Sequence, residues 1–494
     1  MFEAAELGRT TSKEEFKTLE PALRVGLLTV QYELRDADFP VIVVLGGTDR
    51  IGCAEVVNLL HEWMDARYLE ARVFERPTDE ERERPRFWRY WRALPANGRI
   101  GIFHREWTLR TIIDRVSGRI SAAELEDRLR HLTNFERSLT DDGAIVLKLW
   151  LHLPKKVLAA RLRAANRKRQ RAWEVTKEDR LVLQHYERVQ IVSEQILRRT
   201  SIQQALWSVI ESADRRYRDA TVAQILLGVL TRRLGEPPRT RPLARPPRAS
   251  EPNPVTVLDR VDLTKAISDG EYEKRLERYW GELSRLSRKA HRKGMGAVVL
   301  VEGWDASGKG GVIRRLTKPL HAPTYRVIPI GAPTEEERAH HYLWRFWRHL
   351  PRAGHWVIFD RSWYGRVLVE RLEGFAAEDE WTRAYSEIND FEEQIVGAGL
   401  LLLKFWMHVS PEEQLRRFKQ RETVPFKKYK ITAEDYRNRD RWNEYELAAD
   451  EMVQRTSSQY AHWHLVAAND KRYARIFVLK TVARELKQAL DRRR

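Results

Sequence analysis

The sequence predicts an α/β protein built twice over: two tandem three-layer α/β/α domains with parallel sheets, each carrying a helical lid. Three observations predict it. The chain repeats itself at a constant offset of 256 residues. Short apolar runs alternate with long amphipathic stretches in each copy. A Gly-rich turn joins the first apolar run to a helical pattern.

The repeat holds one register over many segments. Trp88-Arg89-Tyr90-Trp91-Arg92 returns as Trp344-Arg345-Phe346-Trp347-Arg348, and Phe103-His104-Arg105-Glu106-Trp107 falls on Phe359-Asp360-Arg361-Ser362-Trp363. Lys148-Leu149-Trp150 with His152 falls on Lys404-Phe405-Trp406 with His408, and Arg199-Thr200-Ser201 on Arg455-Thr456-Ser457. Chance does not keep one offset through so many matches. Between the copies, Glu236 through Pro254 is rich in Pro and Arg and lacks apolar periodicity, which reads as a linker. The expected domains are therefore residues 1–235 and 255–494, joined by 236–254.

In each copy an amphipathic helix precedes a short apolar run, Val41 to Leu45 or Ala297 to Val301. A second run ends at Val357-Ile358-Phe359 and a third spans Leu400 to Leu403. Short, continuously apolar strands separated by helical sequence form parallel sheets covered on both faces.

Bulk composition narrows the partners. Lys plus Arg number 89 against 71 Asp plus Glu, a net charge of +18, which favours a polyanion such as nucleic acid, an anionic membrane or polyphosphate. The single cysteine, Cys53, excludes an intrachain disulfide and a cysteine zinc site. The first thirty residues hold no apolar leader segment, and no apolar run is long enough to cross a bilayer. The expectation is a cytoplasmic protein with no membrane partner.

The chemistry lies in the second copy. Gly303-Trp304-Asp305-Ala306-Ser307-Gly308-Lys309-Gly310-Gly311 fits G-x-x-x-x-G-K, follows the strand pattern Ala297 to Val301 and opens a helix. The glycines let backbone amides converge on a phosphate, the helix start adds partial positive charge, and Lys309 adds a full one. The Ser or Thr that would hold magnesium after the lysine is Gly310. Asp305 in the loop and Asp360 at the end of the second strand are the candidate Mg²⁺ ligands, because this hard cation prefers carboxylate and phosphate oxygens. Arg361 adjoins Asp360; Glu370 and Arg371 follow, a charge pair that alone would be solvated surface.

After the third strand comes a basic stretch: Arg416, Arg417, Lys419, Arg421, Lys427, Lys428, Lys430, Arg437, Arg439 and Arg441. Glu422-Thr423-Val424-Pro425-Phe426 interrupts the helix in its midst, as a hinged cationic lid requires. Trp344 and Trp347, at i,i+3, are expected to pack in the core with their arginines outside. His340, His341 and His408 have no metal-binding companions and are read as structural.

The first copy has lost the key groups. Its loop, Gly46-Gly47-Thr48-Asp49-Arg50-Ile51-Gly52-Cys53, carries Cys53 at the lysine position, and His104 stands where Asp360 does. Phosphoryl transfer should be absent there, leaving a degenerate copy that binds a polyanion or serves as an assembly surface, with a homo-oligomer as one outcome. With no base recognisable beside it, Cys53 is read as a neutral replacement rather than a nucleophile.

Three segments in combination, EGWDASGKGG (302 to 311), FDRSWYGRVLVER (359 to 371) and KYKITAEDYRNRDRW (428 to 442), resemble the polyphosphate kinase 2 family. The resemblance covers essentially the whole second copy and, more weakly, the first. It implies a P-loop kinase fold and Mg²⁺-dependent phosphoryl transfer between inorganic polyphosphate and nucleotides. It implies site roles for Asp305, Lys309, Asp360, Arg361 and Arg421, and lifts Glu370 above a surface reading. Lys427, Lys428 and Lys430 follow as weaker phosphate contacts. Gly365, where many single-domain members have Asn, together with the fused copies, resembles the members that convert AMP to ADP. Phosphorylation of ADP to ATP is the alternative. A nucleic-acid-binding P-loop protein is the rival from another class, although no nucleic-acid module is recognisable.

Overall fold

In this computed structural model, residues 1–167, 175–237, 256–424, 429 and 433–492 are described. They form two compact units. One comprises Met1–Pro77, Ala93–Arg239 and Thr334–His341; the other comprises Thr78–Arg92, Thr240–Pro333 and Tyr342–Arg494.

Each unit is built on a five-stranded, wholly parallel sheet. The strands of the first are β1 (Val41–Gly47), β2 (Leu69–Val73), β3 (Ile100–His104), β4 (Ile145–His152) and β5 (Trp207–Glu211), in the order β2-β3-β1-β4-β5. The second repeats the order, reading β7-β8-β6-β9-β10, with β6 (Ala297–Gly303), β7 (Tyr325–Pro329), β8 (Trp356–Asp360), β9 (Leu401–His408) and β10 (Trp463–Ala467).

The three strands legible in the second copy are β6, β8 and β9, the buried centre of the sheet. The two that escaped sequence reading are its edges, short and, in β7, half exposed. On one face of the second sheet the helices Asp269–Arg292 and Lys471–Arg492 pack together; Glu378–Gly397 packs against β9 and against Trp442–Thr456. Among the described residues no helix is long and apolar enough to cross a membrane.

The compact units do not follow chain order alone. Thr78–Arg92 of the first copy belongs to the second unit, and Thr334–His341 of the second copy belongs to the first. Both segments open on a capping box, Thr78 with Glu81 and Thr334 with Glu337, so each forms its short helix locally. Within the second unit, Trp91 stacks on Trp347 with ring centroids 5.7 Å apart, and Glu83 pairs with Arg352 at 2.6 Å. Trp344 and Trp347 are buried as expected, and Arg348 lies outside over the Trp344 ring.

One motif of the repeat is explained by a buried ion pair. Lys404 on β9 donates to Glu392 of helix Glu378–Gly397 at 2.7 Å and to the Thr456 carbonyl at 2.7 Å. Trp363 Nε1 and Tyr364 Oη donate to the other oxygen of Glu392, at 3.0 and 2.6 Å. Lys148, Glu136, Thr200 and Trp107 build the same arrangement in the first unit. Burial pushes Glu392 up and Lys404 down, and each is the other's main counterweight. Lys404→Met, which leaves Glu392 buried and unpaired, is expected to cost about 3–5 kcal/mol in chemical denaturation. The double change with Glu392→Gln should recover part of that loss.

Candidate active site

The loop after β6 is shaped by close approach. Gly303 has φ 135°, and a Cβ there would lie 2.4 Å from the Met407 carbonyl oxygen of β9. Ala306 and Gly308 also take positive φ, 58° and 108°. The helix Lys309–Thr317 then starts with no side-chain cap, so its first amides face the loop. Lys309 curls over this turn, its Nζ donating to the carbonyls of Gly303 at 2.6 Å and Trp304 at 3.0 Å. Gly310 is exposed with open space around its Cα, and Gly311 faces the Arg475 guanidinium.

A cleft of about 550 Å³ opens beside the loop, lined among others by Glu302, Asp305, Arg361, Gly365, Gln414 and Asn438. Asp305 is its focus. One oxygen accepts from Arg361 at 3.1 Å and the other from Asn438 Nδ2 at 3.0 Å. Burial pushes its pKa up, but Lys309, Arg361, the Asn438 hydrogen bond and Arg421 outweigh burial and hold it below the ordinary carboxylate range. Arg361 reaches Asp305 from a left-handed backbone, φ 64°, a conformation that costs a non-glycine residue roughly 1–3 kcal/mol. Asp360 ends β8 half-buried, in register with Val301 of β6.

Glu302, one step before the loop, is fully desolvated; burial raises its pKa, and Ser362 Oγ donates to it at 2.7 Å. Glu370 stands one layer back: it pairs with Arg366 at 3.1 Å, and its Oε1 lies 3.6 Å from where a Cβ on Gly365 would be. Arg371 is buried, donating to Tyr385 and Glu451.

The basic stretch divides by role. Helix Pro411–Thr423 ends at the expected interruption, and a second helix spans Ala433–Asp440. Arg417 is no lid cation. It is buried and its guanidinium donates to the carbonyls of Ala306, Ser307, Ala468 and Asn469 and to Glu413, at 2.6 to 2.9 Å, pinning the loop to the chain after β10. Arg416 pairs with Glu413, Arg439 donates to the Pro411 carbonyl, and Arg441 donates to the Leu372 carbonyl and pairs with Glu444. Arg421 acts on Asp305 through its field. Lys427, Lys428 and Lys430 lie outside the described residues. Trp304 stacks on Trp442 at 3.6 Å and donates to His408 Nδ1 at 3.1 Å, which gives that histidine its structural role.

Sequence reading missed Glu302, Gln414, Asn438 and the pinning role of Arg417. The duplication carried a usable signal for the last. Arg161 stands at the matching position and likewise donates to loop Asp49 and to the Ser212 carbonyl. An arginine kept in the copy that lost its lysine serves the loop's shape.

The first copy turns its loop aspartate inward. Asp49 is buried: it accepts from the Gly52 amide as the helix cap, from Ser212 and from Arg161, with Arg218 alongside. The counterparts of Gln414, Arg421 and Asn438 are Leu158, Ala165 and Val182, all buried and apolar. Burial pushes the Cys53 thiol far up, which favours a neutral replacement over a nucleophile.

A Gly-rich turn thus joins strand to helix in the second copy, with Asp305, Arg361 and Asp360 within reach of the Lys309 charge. The polyphosphate kinase 2 family model matches residues 10–236 and 266–494, and the chain belongs to that family. It is 46% identical over 485 residues to a polyphosphate:AMP phosphotransferase of Pseudomonas aeruginosa, covering 98% of each chain. It is 43% identical over 494 residues to a protein of the same name from Pseudomonas syringae pv. tomato, covering 100% of this chain and 99% of the relative. A crystal structure described as a polyphosphate kinase 2 from Pseudomonas aeruginosa PA01 superposes with TM-score 0.89 at 44% identity over 100% of both chains.

Because Arg417 holds two loop carbonyls and two after β10, which a lysine cannot span together, Arg417→Lys is expected to lower turnover about 10²-fold in a steady-state assay. Its circular dichroism spectrum should remain that of the parent.

Proposed function

We propose that the chain is a phosphotransferase that moves a phosphoryl group from inorganic polyphosphate to AMP, giving ADP, and that the second copy performs the reaction. The observation that carries this is that Asp305 and Arg361 line one cleft in that copy, with Lys309 within the fields of Asp305, Arg361 and Asp360. Full-length relatives named for the reaction support the substrate pair.

Lys309 and the uncapped amides at the start of its helix hold the phosphoryl group in flight. Arg361 and Arg421 offset the charge that spreads over its oxygens. The acceptor is already an anionic phosphate oxygen, so no strong general base is needed; the residues' work is positioning and charge neutralisation. Gly303, Gly308, Gly310 and Gly311 keep side chains away from the phosphate path. Glu370 acts through Arg366, orienting the wall beside Gly365. Lys427, Lys428 and Lys430 remain, on sequence alone, the weaker contacts for the polyphosphate chain.

Asp305 and Asp360 fit a magnesium ion. Each oxygen of Asp305 accepts one hydrogen bond and keeps a second lone pair, and the surrounding cations hold the group ionised. When bound there, Mg²⁺ supplies charge neutralisation between donor and acceptor phosphates. Residues 255–494 are the catalytic domain in this reading and 1–235 a non-catalytic one.

Purified protein incubated with Mg²⁺, polyphosphate and either AMP or ADP is expected to give ADP from AMP as the dominant product by ion-exchange chromatography. No ADP from AMP overturns the assignment, and ATP from ADP at the higher rate favours the diphosphate alternative. Lys309→Ala should lower turnover at least 10²- to 10³-fold, roughly the effect of deleting one preorganised donor to the transition state. Cys53→Ala should leave it within about twofold. Chelation of divalent cations should abolish turnover, and added Mg²⁺ should restore it.

A further inference from the structure

The first copy keeps a pocket of about 270 Å³ at the position of the catalytic cleft, lined by Arg50, Cys53, His104, Arg105, Glu106 and Trp150 among others. Its shape differs from its counterpart because Asp49 has filled the old phosphate seat and because Arg50 replaces Ala306.

Four polar atoms of this lining are buried without a hydrogen-bond partner: Arg50 Nε, Arg105 Nε, His104 Nδ1 and Trp150 Nε1. Arg50 is 7% exposed, His104 6% and Trp150 2%. The neutral His104 donates to the Leu45 backbone and so keeps a lone pair on Nδ1, but the Arg50, Arg105 and Trp150 N–H groups are buried donors left unsatisfied, and three on one pocket's lining residues call for a shared acceptor.

The charge has the matching sign. Arg50 is anchored from behind by Asp179 at 3.1 Å and Thr176 at 2.9 Å, and Arg105 approaches only the rim residue Glu75, at 3.9 Å. Burial lowers the pKa of Arg50 and Arg105 adds to the effect, so the two guanidiniums are crowded. Burial, with Arg105 and Arg50 beside it, pushes His104 down to about 3 and leaves it neutral. The one carboxylate among these lining residues, Glu106, is pushed up to about 7 by burial against the hydrogen bonds from Thr108, which lessens its negative charge.

The paired guanidiniums set the class of ligand: an oxyanion that accepts from N–H donors.

We propose that the first-copy pocket is a non-catalytic seat for one tetrahedral oxyanion, either inorganic phosphate or the terminal phosphate of a longer phosphate chain, gripped by Arg50 and Arg105. The anion takes hydrogen bonds from the two Nε–H groups and from the Trp150 indole, and no bond is made or broken. The seat does not depend on which nucleotide the second copy phosphorylates.

The test uses the full-length chain carrying Lys309→Ala, to weaken phosphate binding at the catalytic loop. Equilibrium dialysis with radiolabelled orthophosphate, and separately with tripolyphosphate, is expected to find one equivalent bound per chain. Adding Arg105→Gln should weaken it at least about tenfold, the loss of a charge-assisted contact. Arg105→Gln alone, with the catalytic lysine intact, should keep its AMP-phosphorylating rate, which certifies the fold. Orthophosphate binding identifies a single-phosphate seat, and binding of tripolyphosphate alone identifies a chain-end seat. No bound equivalent of either anion in the Lys309→Ala chain, or binding indifferent to Arg105→Gln, overturns the proposal.

Discussion

The Glu392–Lys404 pair fixes what the rest of the second unit depends on. It is fully buried, so neither charge has water to fall back on; Lys404 donates to Glu392, Thr456 and Tyr364, and the carboxylate accepts from Lys404, Trp363 and Tyr364. Through Trp363 and Tyr364 it holds the turn that follows Asp360, and through Thr456 it holds the end of the helix that begins at Trp442. The two sides of the cleft are thus tied to one point in the core. Arg417 adds the third tie, from the lid-side helix to the loop carbonyls. Phosphoryl transfer through fixed charges works only if those charges do not relax as the reaction proceeds, and these buried ties supply that stiffness.

The two copies share this frame and differ in what faces the cleft. Asp305 and Asp49 occupy matching positions, yet one looks into the cleft and the other caps its own helix. The difference follows from their neighbours. Arg218, where the second copy has Ala474, together with Arg161 and Ser212, draws Asp49 inward. Asn438 and Arg361 draw Asp305 outward.

The central strands and the Gly-rich loop were legible in the sequence, because each of these is a local pattern or a register match. Strands β6, β8 and β9 are continuously apolar since both faces are covered; edges β7 and β10 are short and weakly patterned. Asp305, Lys309 and Asp360 announced themselves by spacing. Asn438 and Gln414 did not, because a neutral amide on a charged helix has no spacing rule and acquires its role only when the chain brings it against Asp305. Arg417 looked like its neighbours Arg416 and Arg421, and only the fold separates a buried pin from a surface cation. The exchange of Thr78–Arg92 and Thr334–His341 was hidden for the same reason: each segment's own signals are those of a short capped helix, and nothing local states which sheet it joins.

The inward turn of Asp49 makes the loss in the first copy self-locking. Restoring a lysine at position 53 would bury a further cation where Asp49 is already paired with Arg161 and flanked by Arg218, and removing Asp49 would strand Arg161, although Arg218 would keep Asp219 and Glu55. Any single backward step therefore meets a penalty before it meets a gain. Such a domain behaves as a ratchet: once its own side chain has taken the place of the substrate's phosphate, the way back requires several coordinated changes at once.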